Sequence, residues 1–240
     1  TVMIKENRVF SGLDAGVLFR KDALGRLEGN DIWDNEGPGL VVRQRSNPVC
    51  IDNKIHDGQD SGIKLYQIAE GTYERNLVYS NKGPGVDVTE CSDPQFKNNV
   101  VYDGKTDGIW IHNKGGGTYE GNDFYGNAQA GIRVDAEVIV YARSKSTLLS
   151  DLDREEIAAQ DSALAEELAE ELADGFAVEF YRNKIHDHPR HGIVVEKDGI
   201  SLFVENDIFA NTIAGVLVQT GGDPMLRNNT IHDHADGDGI

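Results

Sequence analysis

One asparagine sets the register of this sequence. It stands at Asn7, Asn30, Asn53, Asn76, Asn99 and Asn122, 23 residues apart, and resumes at Asn183, Asn206 and Asn229 with the same spacing. A glycine follows nine residues later at Gly16, Gly39, Gly62, Gly85, Gly108, Gly131, Gly192 and Gly215, slipping by one to Gly239 in the ninth copy. A fixed period of this size marks a solenoid, in which each repeat is one structural unit that buries its apolar face only against its neighbours.

The apolar positions identify the unit. Counted from each Asn, Val, Ile or Phe stands two residues on. Val, Leu, Ile or Phe stands ten and twelve residues on, and a large apolar residue or Cys50 stands three before. Within each block the spacing is two, the strand period, and the residues are β-branched or aromatic. The repeats carry no helical stripe, which excludes leucine-rich, ankyrin and helical-hairpin solenoids. The expected fold is all-β: a right-handed, single-stranded parallel β-helix of about nine 23-residue coils with one α-helical insertion. At the ordinary strand spacing nine coils make a rod of about 43 Å. The Asn is expected at an inward turn, its amide bonding the turn backbone and the Asn of the next coil. The recurring Gly suits a turn that needs φ > 0.

The motif in full is N-x-I-[HYFW]-x-[NG]-x-x-x-G-[IV]. Asn53–Gly58 reads NKIHDG and Asn99–Gly104 reads NVVYDG, alternating with Asn30–Asn35 (NDIWDN), Asn76–Asn81 and Asn122–Asn127. Ser46-Asn47-Pro48, Ser92-Asp93-Pro94 and Gly222-Asp223-Pro224 fall between copies. The pattern resembles the parallel β-helix repeats of carbohydrate-binding proteins and sugar hydrolases, and most of all the β-helix region of the F-box-only proteins. That resemblance implies a non-catalytic rod that binds a protein substrate, as in an F-box-type ubiquitin-ligase subunit, joined to the ligase scaffold through regions not in this chain. It implies an intracellular protein, of cytoplasm or nucleus. The alternative is a carbohydrate-active enzyme (polysaccharide lyase, epimerase or hydrolase) or a sugar-binding module.

Residues 1–240 read as one β-helix domain interrupted at about 136–174. Asn122 and Asn183 lie 61 residues apart, 38 more than one repeat. A serine cap at Ser150 and a stripe of Leu164, Leu168 and Leu172 indicate a helix ending at Gly175. Ten acids against Arg154 give this stretch about half of the net charge of −18. The expectation is that its leucine face docks on the rod while its acids lie over the column Arg20–Arg43–Lys64–Arg133. Such a charge makes nucleic acid an unlikely partner. No apolar run spans a membrane, and no signal peptide is visible. The sequence opens at Thr1 and stops at Ile240 within coils, so it is expected to be a piece of a longer chain. Cys50 takes an inward slot and is expected to be a reduced, buried thiol.

Candidate ligand contacts come from the residues eleven and thirteen after each Asn, which alternate with inward ones and so form outward columns on one sheet. Their middle carries Lys64, Tyr66, Asp87, Trp110, His112, Arg133 and Asp135, with Trp110 exposed: a platform for sugar or peptide. A mixed solvated strand surface is the other reading of the same residues. Asp57, Asp60, Asp103 and Asp107 each sit in a turn of the repeat with counterparts in other coils, whereas a catalytic centre should break the repeat at one place. No catalytic residue, metal or cofactor is therefore assigned. His186 and His188, separated by one residue, could bind a metal weakly. Their simpler role is to fill the aromatic slot held elsewhere by Trp33, Tyr79, Tyr102, Tyr125 and Phe209.

Overall fold

The computed structural model describes residues 2–135, 178–235 and 239–240. Each of the first eight repeats winds once round the axis through three short strands, and the ninth contributes two among the described residues, giving the right-handed parallel β-helix. Two sheets have nine strands and the third has eight, and in all three the neighbours in space are the equivalent strands of successive repeats. The first sheet runs from Val2–Lys5 to Asp223–Arg227, the second from Arg8–Phe10 to Thr230–His232, and the third from Val17–Phe19 to Ala214–Val218. Register is one repeat throughout: Tyr73 pairs with Phe96, Val78 with Val101 and Asp87 with Trp110. There is no helix among the described residues. The expected helical insertion lies outside them.

The interior is a set of columns. Leu27, Ile32, Leu40 and Val42 of one winding stack beneath Cys50, Ile55, Ile63 and Leu65 of the next, all buried. Each such side chain contributes about 1.5–3 kcal/mol by leaving water. Behind the first sheet the column is aromatic. Tyr73, Phe96, Tyr119, Phe180 and Phe203 stack at centroid distances of 4.4, 5.6, 4.7 and 4.8 Å. Tyr119 satisfies its buried hydroxyl by donating to the Gly116 carbonyl at 2.9 Å. Cys50 is free and buried, its thiol pKa pushed far up by desolvation, as its inward slot requires.

The asparagine ladder forms as expected. Asn53 donates its backbone N–H at 3.0 Å and its side-chain N–H at 2.9 Å to Oδ1 of Asn76, and its other amide hydrogen to the Leu27 carbonyl at 2.9 Å. The pattern repeats from Asn7 to Asn229, so no interior amide of the column goes unpaired.

The glycine expectation is corrected. The left-handed corners fall instead on the residue before each ladder Asn, on the residue four after it, and on a pair beyond the third strand such as Gln44 and Arg45. Glu6, Asp52, Arg75 and Arg182 stand at the first corner, and Asp34, Asp57, Asp103 and Asp187 at the second, all with φ between 52° and 56°. A non-glycine residue there costs about 1–2 kcal/mol; the ladder bonds on either side hold it in place. The recurring Gly is needed for space. A Cβ at Gly85 would lie 2.4 Å from Val101 Cγ1 and 2.6 Å from the Gly108 carbonyl oxygen. Glycine lets successive windings close at this corner.

A second ladder runs five residues after each Asn, and it has a two-winding period. Gly12, Gly58 and Gly104 donate their N–H groups to Oδ1 of Asn35, Asn81 and Asn127. In the seventh and ninth windings His188 and His234 replace the glycine, and their Nδ1 atoms accept from the N–H of Asn127 and Asn211 at 3.2 and 3.3 Å.

Candidate functional site

The outer face of the third sheet brings the predicted residues together on strands Ile63–Tyr66, Val86–Val88, Ile109–His112 and Ala130–Asp135. Lys64, Asp87, Trp110 and Arg133 are consecutive register partners in one column. Tyr66, His112 and Asp135 belong to the adjacent column, where Arg43 is the register partner of Tyr66 and Asp135 that of His112.

Asp87 is the centre of the arrangement. It is only 4% exposed although its side chain leaves the outer face. Lys64 Nζ lies 2.9 Å from Oδ2 and His112 Nε2 lies 3.0 Å from Oδ1. Burial raises the carboxyl pKa, but the hydrogen bonds and charges of His112 and Lys64 outweigh it and hold Asp87 below the ordinary carboxylate range. The ionised carboxylate accepts only, so Nε2 of His112 carries the proton and Nδ1 is turned away from Asp87. Burial lowers the Lys64 pKa, and the bond to Asp87 more than restores it, leaving the ammonium above its usual value. Trp110 stacks on His112 at a centroid distance of 3.9 Å and 16°. The indole is half-buried rather than fully exposed as expected, because the imidazole covers one face and the neighbouring strands its edge.

Tyr66 gains a partner that sequence reasoning left out of the site. Arg43 Nη1 donates to its hydroxyl at 2.9 Å, and the guanidinium lies 5.6 Å from the centroid of its ring. The signal was present, since Arg43 and Tyr66 occupy the same slot in successive copies.

Arg133 and Asp135 separate from this group. Arg133 Nε binds Asp107 Oδ2 at 3.1 Å and Nη1 binds Glu196 Oε1 at 2.9 Å. Burial lowers its pKa, and the two carboxylates raise it by more. Its donors are committed along the outer face to carboxylates of the neighbouring windings. Asp135 is buried and holds Lys197 Nζ at 2.9 Å. With Lys64 and Arg133 already neutralised, the proposed acidic cover loses two of its four cations; the cover itself falls outside the described residues. Asp107 also accepts from Ala130 N–H at 3.0 Å, and Asp60 accepts from Ser61 N–H at 2.7 Å, so both turn acids have backbone work.

The histidines divide between the two sides of the wall. His56, His186 and His232 stand in an outer aromatic column on the second sheet that runs from Phe10 through Trp33, Tyr79, Tyr102, Tyr125 and Phe209. Each is clamped by two aspartates: His186 by Asp187 at 2.6 Å and Asp123 at 3.0 Å. His188 points inward, buried, with Nε2–H donating to the Phe124 carbonyl at 3.1 Å. His186 and His188 therefore cannot share an ion. Burial drives the His188 pKa down to about 4, so the ring is neutral.

The site can thus grip a flat polar ring. Trp110 and His112 offer a stacked aromatic surface, Arg43 offers charge, and Asp87 holds Lys64 and locks the imidazole.

A sequence-family model described as the right handed beta helix region matches residues 1–142 and 171–240. No curated protein matches the chain in sequence. Among solved structures it is similar to the A-module of the Azotobacter vinelandii mannuronan C-5 epimerase AlgE4, with a TM-score of 0.57 and 14% identity, over 94% of this chain and 61% of that one. It is also similar to the periplasmic alginate epimerase AlgG, with a TM-score of 0.62 and 16% identity, over 90% of this chain and 47% of that one. The chain spans about half to three-fifths of these neighbours. At that identity the likeness is one of fold.

Proposed function

Because the chain belongs to the right-handed β-helix family, we propose that it is a carbohydrate-handling member that lays a glycan along the outer face of its third sheet. The observation that carries this reading is the Trp110–His112 stack set against the Lys64–Asp87 pair. It joins an aromatic stack to a buried carboxylate held from two sides on one face of the sheet. Aromatic faces beside charged hydrogen-bonding groups suit sugar rings, which present C–H faces and hydroxyl edges. The similar solved structures are by name epimerases of mannuronan and alginate, which favours a carbohydrate ligand. Lys64, Tyr66, Trp110 and His112 would contact the sugar, with Arg43 beside Tyr66. Asp87 would position His112 and Lys64, while Arg133 and Asp135 would support the wall.

The second reading is a recognition rod for a protein substrate, inside the cell, as the likeness to F-box-only proteins implies. What favours it is the alternation of NKIHDG-type and N-x-I-Y-x-N-type windings. That alternation serves the inner Gly–Asn ladder, so it speaks to folding more than to partner choice. An F-box upstream in the full open reading frame would favour this second reading.

A glycan array probed with the chain and with Trp110→Ala tests the first reading. Retention of a defined glycan class that is lost in the variant is the expected result. No retained glycan, or equal retention by the variant, overturns it.

A further inference from the structure

Arg20 and Arg43 occupy the same outward slot in the first two windings, with Tyr66 next in the column. The chain carries a net charge of −18, and several cations on its walls are matched. Lys5 and Arg26 bind Glu28, Arg75 binds Asp52, Lys64 binds Asp87 and Arg182 binds Glu120. Arg20 and Arg43 are not matched: among the described residues neither has a carboxylate within 4.0 Å. Asp22, the nearby turn acid, is taken by Arg45 at 2.8 Å. The two arginine positions lie about one rung, ~4.8 Å, apart along the column, so two like charges share one strip of the wall.

The donors also outnumber the acceptors. Arg43 gives one N–H to Tyr66 Oη, and its Nε is buried without a partner. A phenol that accepts from a guanidinium directs its own O–H elsewhere, so Tyr66 has a proton to give. Arg20 is exposed on the same column. Three consecutive rungs therefore present N–H and O–H donors whose one internal acceptor, Tyr66 Oη, is already taken by Arg43. Paired guanidiniums with a hydroxyl match an oxyanion, to which arginine donates in pairs of short, charge-assisted bonds.

We infer that Arg20, Arg43 and Tyr66 form an oxyanion subsite, so that the glycan of this face carries an anionic substituent, carboxylate or sulfate ester, beyond the Trp110–His112 stack. The inference rests on the glycan reading given above. It adds two residues to the site, and it makes the ligand an acidic glycan on an acidic protein, with the attraction confined to one column.

Isothermal titration of the whole chain with dextran sulfate, polygalacturonate and neutral dextran tests it. At low salt one or both polyanions should bind at least tenfold more tightly than dextran and weaken as salt rises. Which polyanion binds identifies the substituent. Arg20→Gln and Arg43→Gln should each weaken polyanion binding about tenfold, the loss of one charge-assisted contact. Arg20 is exposed, so its variant tests the subsite without disturbing the fold. Arg75→Gln, on the first sheet, should bind as the unaltered chain does. Dextran bound as well as the polyanions, with Trp110→Ala still abolishing binding, overturns the subsite and leaves the glycan reading standing. Polyanion binding unchanged in both arginine variants also overturns the subsite. Failure of all three polymers to bind overturns both.

Discussion

Asn122 donates its backbone N–H at 2.9 Å and its side-chain amide at 3.0 Å to Oδ1 of Asn183, 61 residues further along the chain. The same two bonds link Asn99 to Asn122 across 23 residues, at 2.9 and 3.0 Å. The ladder therefore crosses the long interruption without a missing rung, and the strand Gly117–Glu120 pairs directly with Val178–Tyr181.

Asn183→Ala should destabilise the chain by about 2–4 kcal/mol, because two buried donors of Asn122 and the Tyr119 carbonyl lose their partner. Asn7→Ala, at the exposed start of the column, should cost under about 1 kcal/mol. Urea unfolding midpoints of the two variants give the comparison, and equal shifts would contradict the ladder's role.

Gly85→Ala should cost about 1–3 kcal/mol or more through overpacking, since the added methyl meets Val101 and the Gly108 carbonyl. Because Gly85 has no left-handed φ, the cost should fall in a Gly85→Ala/Val101→Ala double variant relative to the sum of the single ones. Additive thermal shifts would return the glycine to a purely conformational role.

Stability should fall as pH drops from about 6.5 to 4. The His188 pKa is about 4 in the folded chain against an ordinary value of 6.5, so the unfolded chain takes up the proton first and gains stability in that window. Above pH 6.5 the contribution is constant. The predicted loss is about 3 kcal/mol, at 1.36 kcal/mol per pH unit. His188→Asn keeps an acceptor in the slot and should flatten this part of the profile, as measured by denaturant unfolding at several pH values.

Arg133→Met should cost about 1–3 kcal/mol by stranding Asp107 and Glu196, both nearly buried. It should leave glycan affinity within about twofold, since its donors already face the wall. A large loss of affinity at unchanged stability would return Arg133 to the binding surface.

How far the sequence was legible depends on whether a property repeats. The Asn column, the inward apolar slots and the outward alternation recur in each copy, so their geometry followed from period alone. The left-handed corners did not, because Glu6, Arg75 and Arg182 carry no signature of positive φ; the neighbouring bonds impose it. The role of Gly85 was misread because spacing does not separate crowding from backbone freedom. On the outer face of the third sheet, the juxtaposition of Lys64, Tyr66, Trp110 and His112 could be read from the columns. The burial of Asp87 and the commitment of Arg133 could not, since both depend on which acid reaches across from the next rung or turn. Arg43 was recoverable from its slot, one period before Tyr66.

The alternation of Gly58 with Asn81, and of Gly104 with Asn127, makes a pair of windings the smallest interchangeable module of this architecture. Lengthening or shortening the rod by 46 residues preserves every donor–acceptor match along that seam, whereas a change of 23 sets like against like at the splice. Gene duplication, or an engineer extending the binding face, should therefore succeed in even steps.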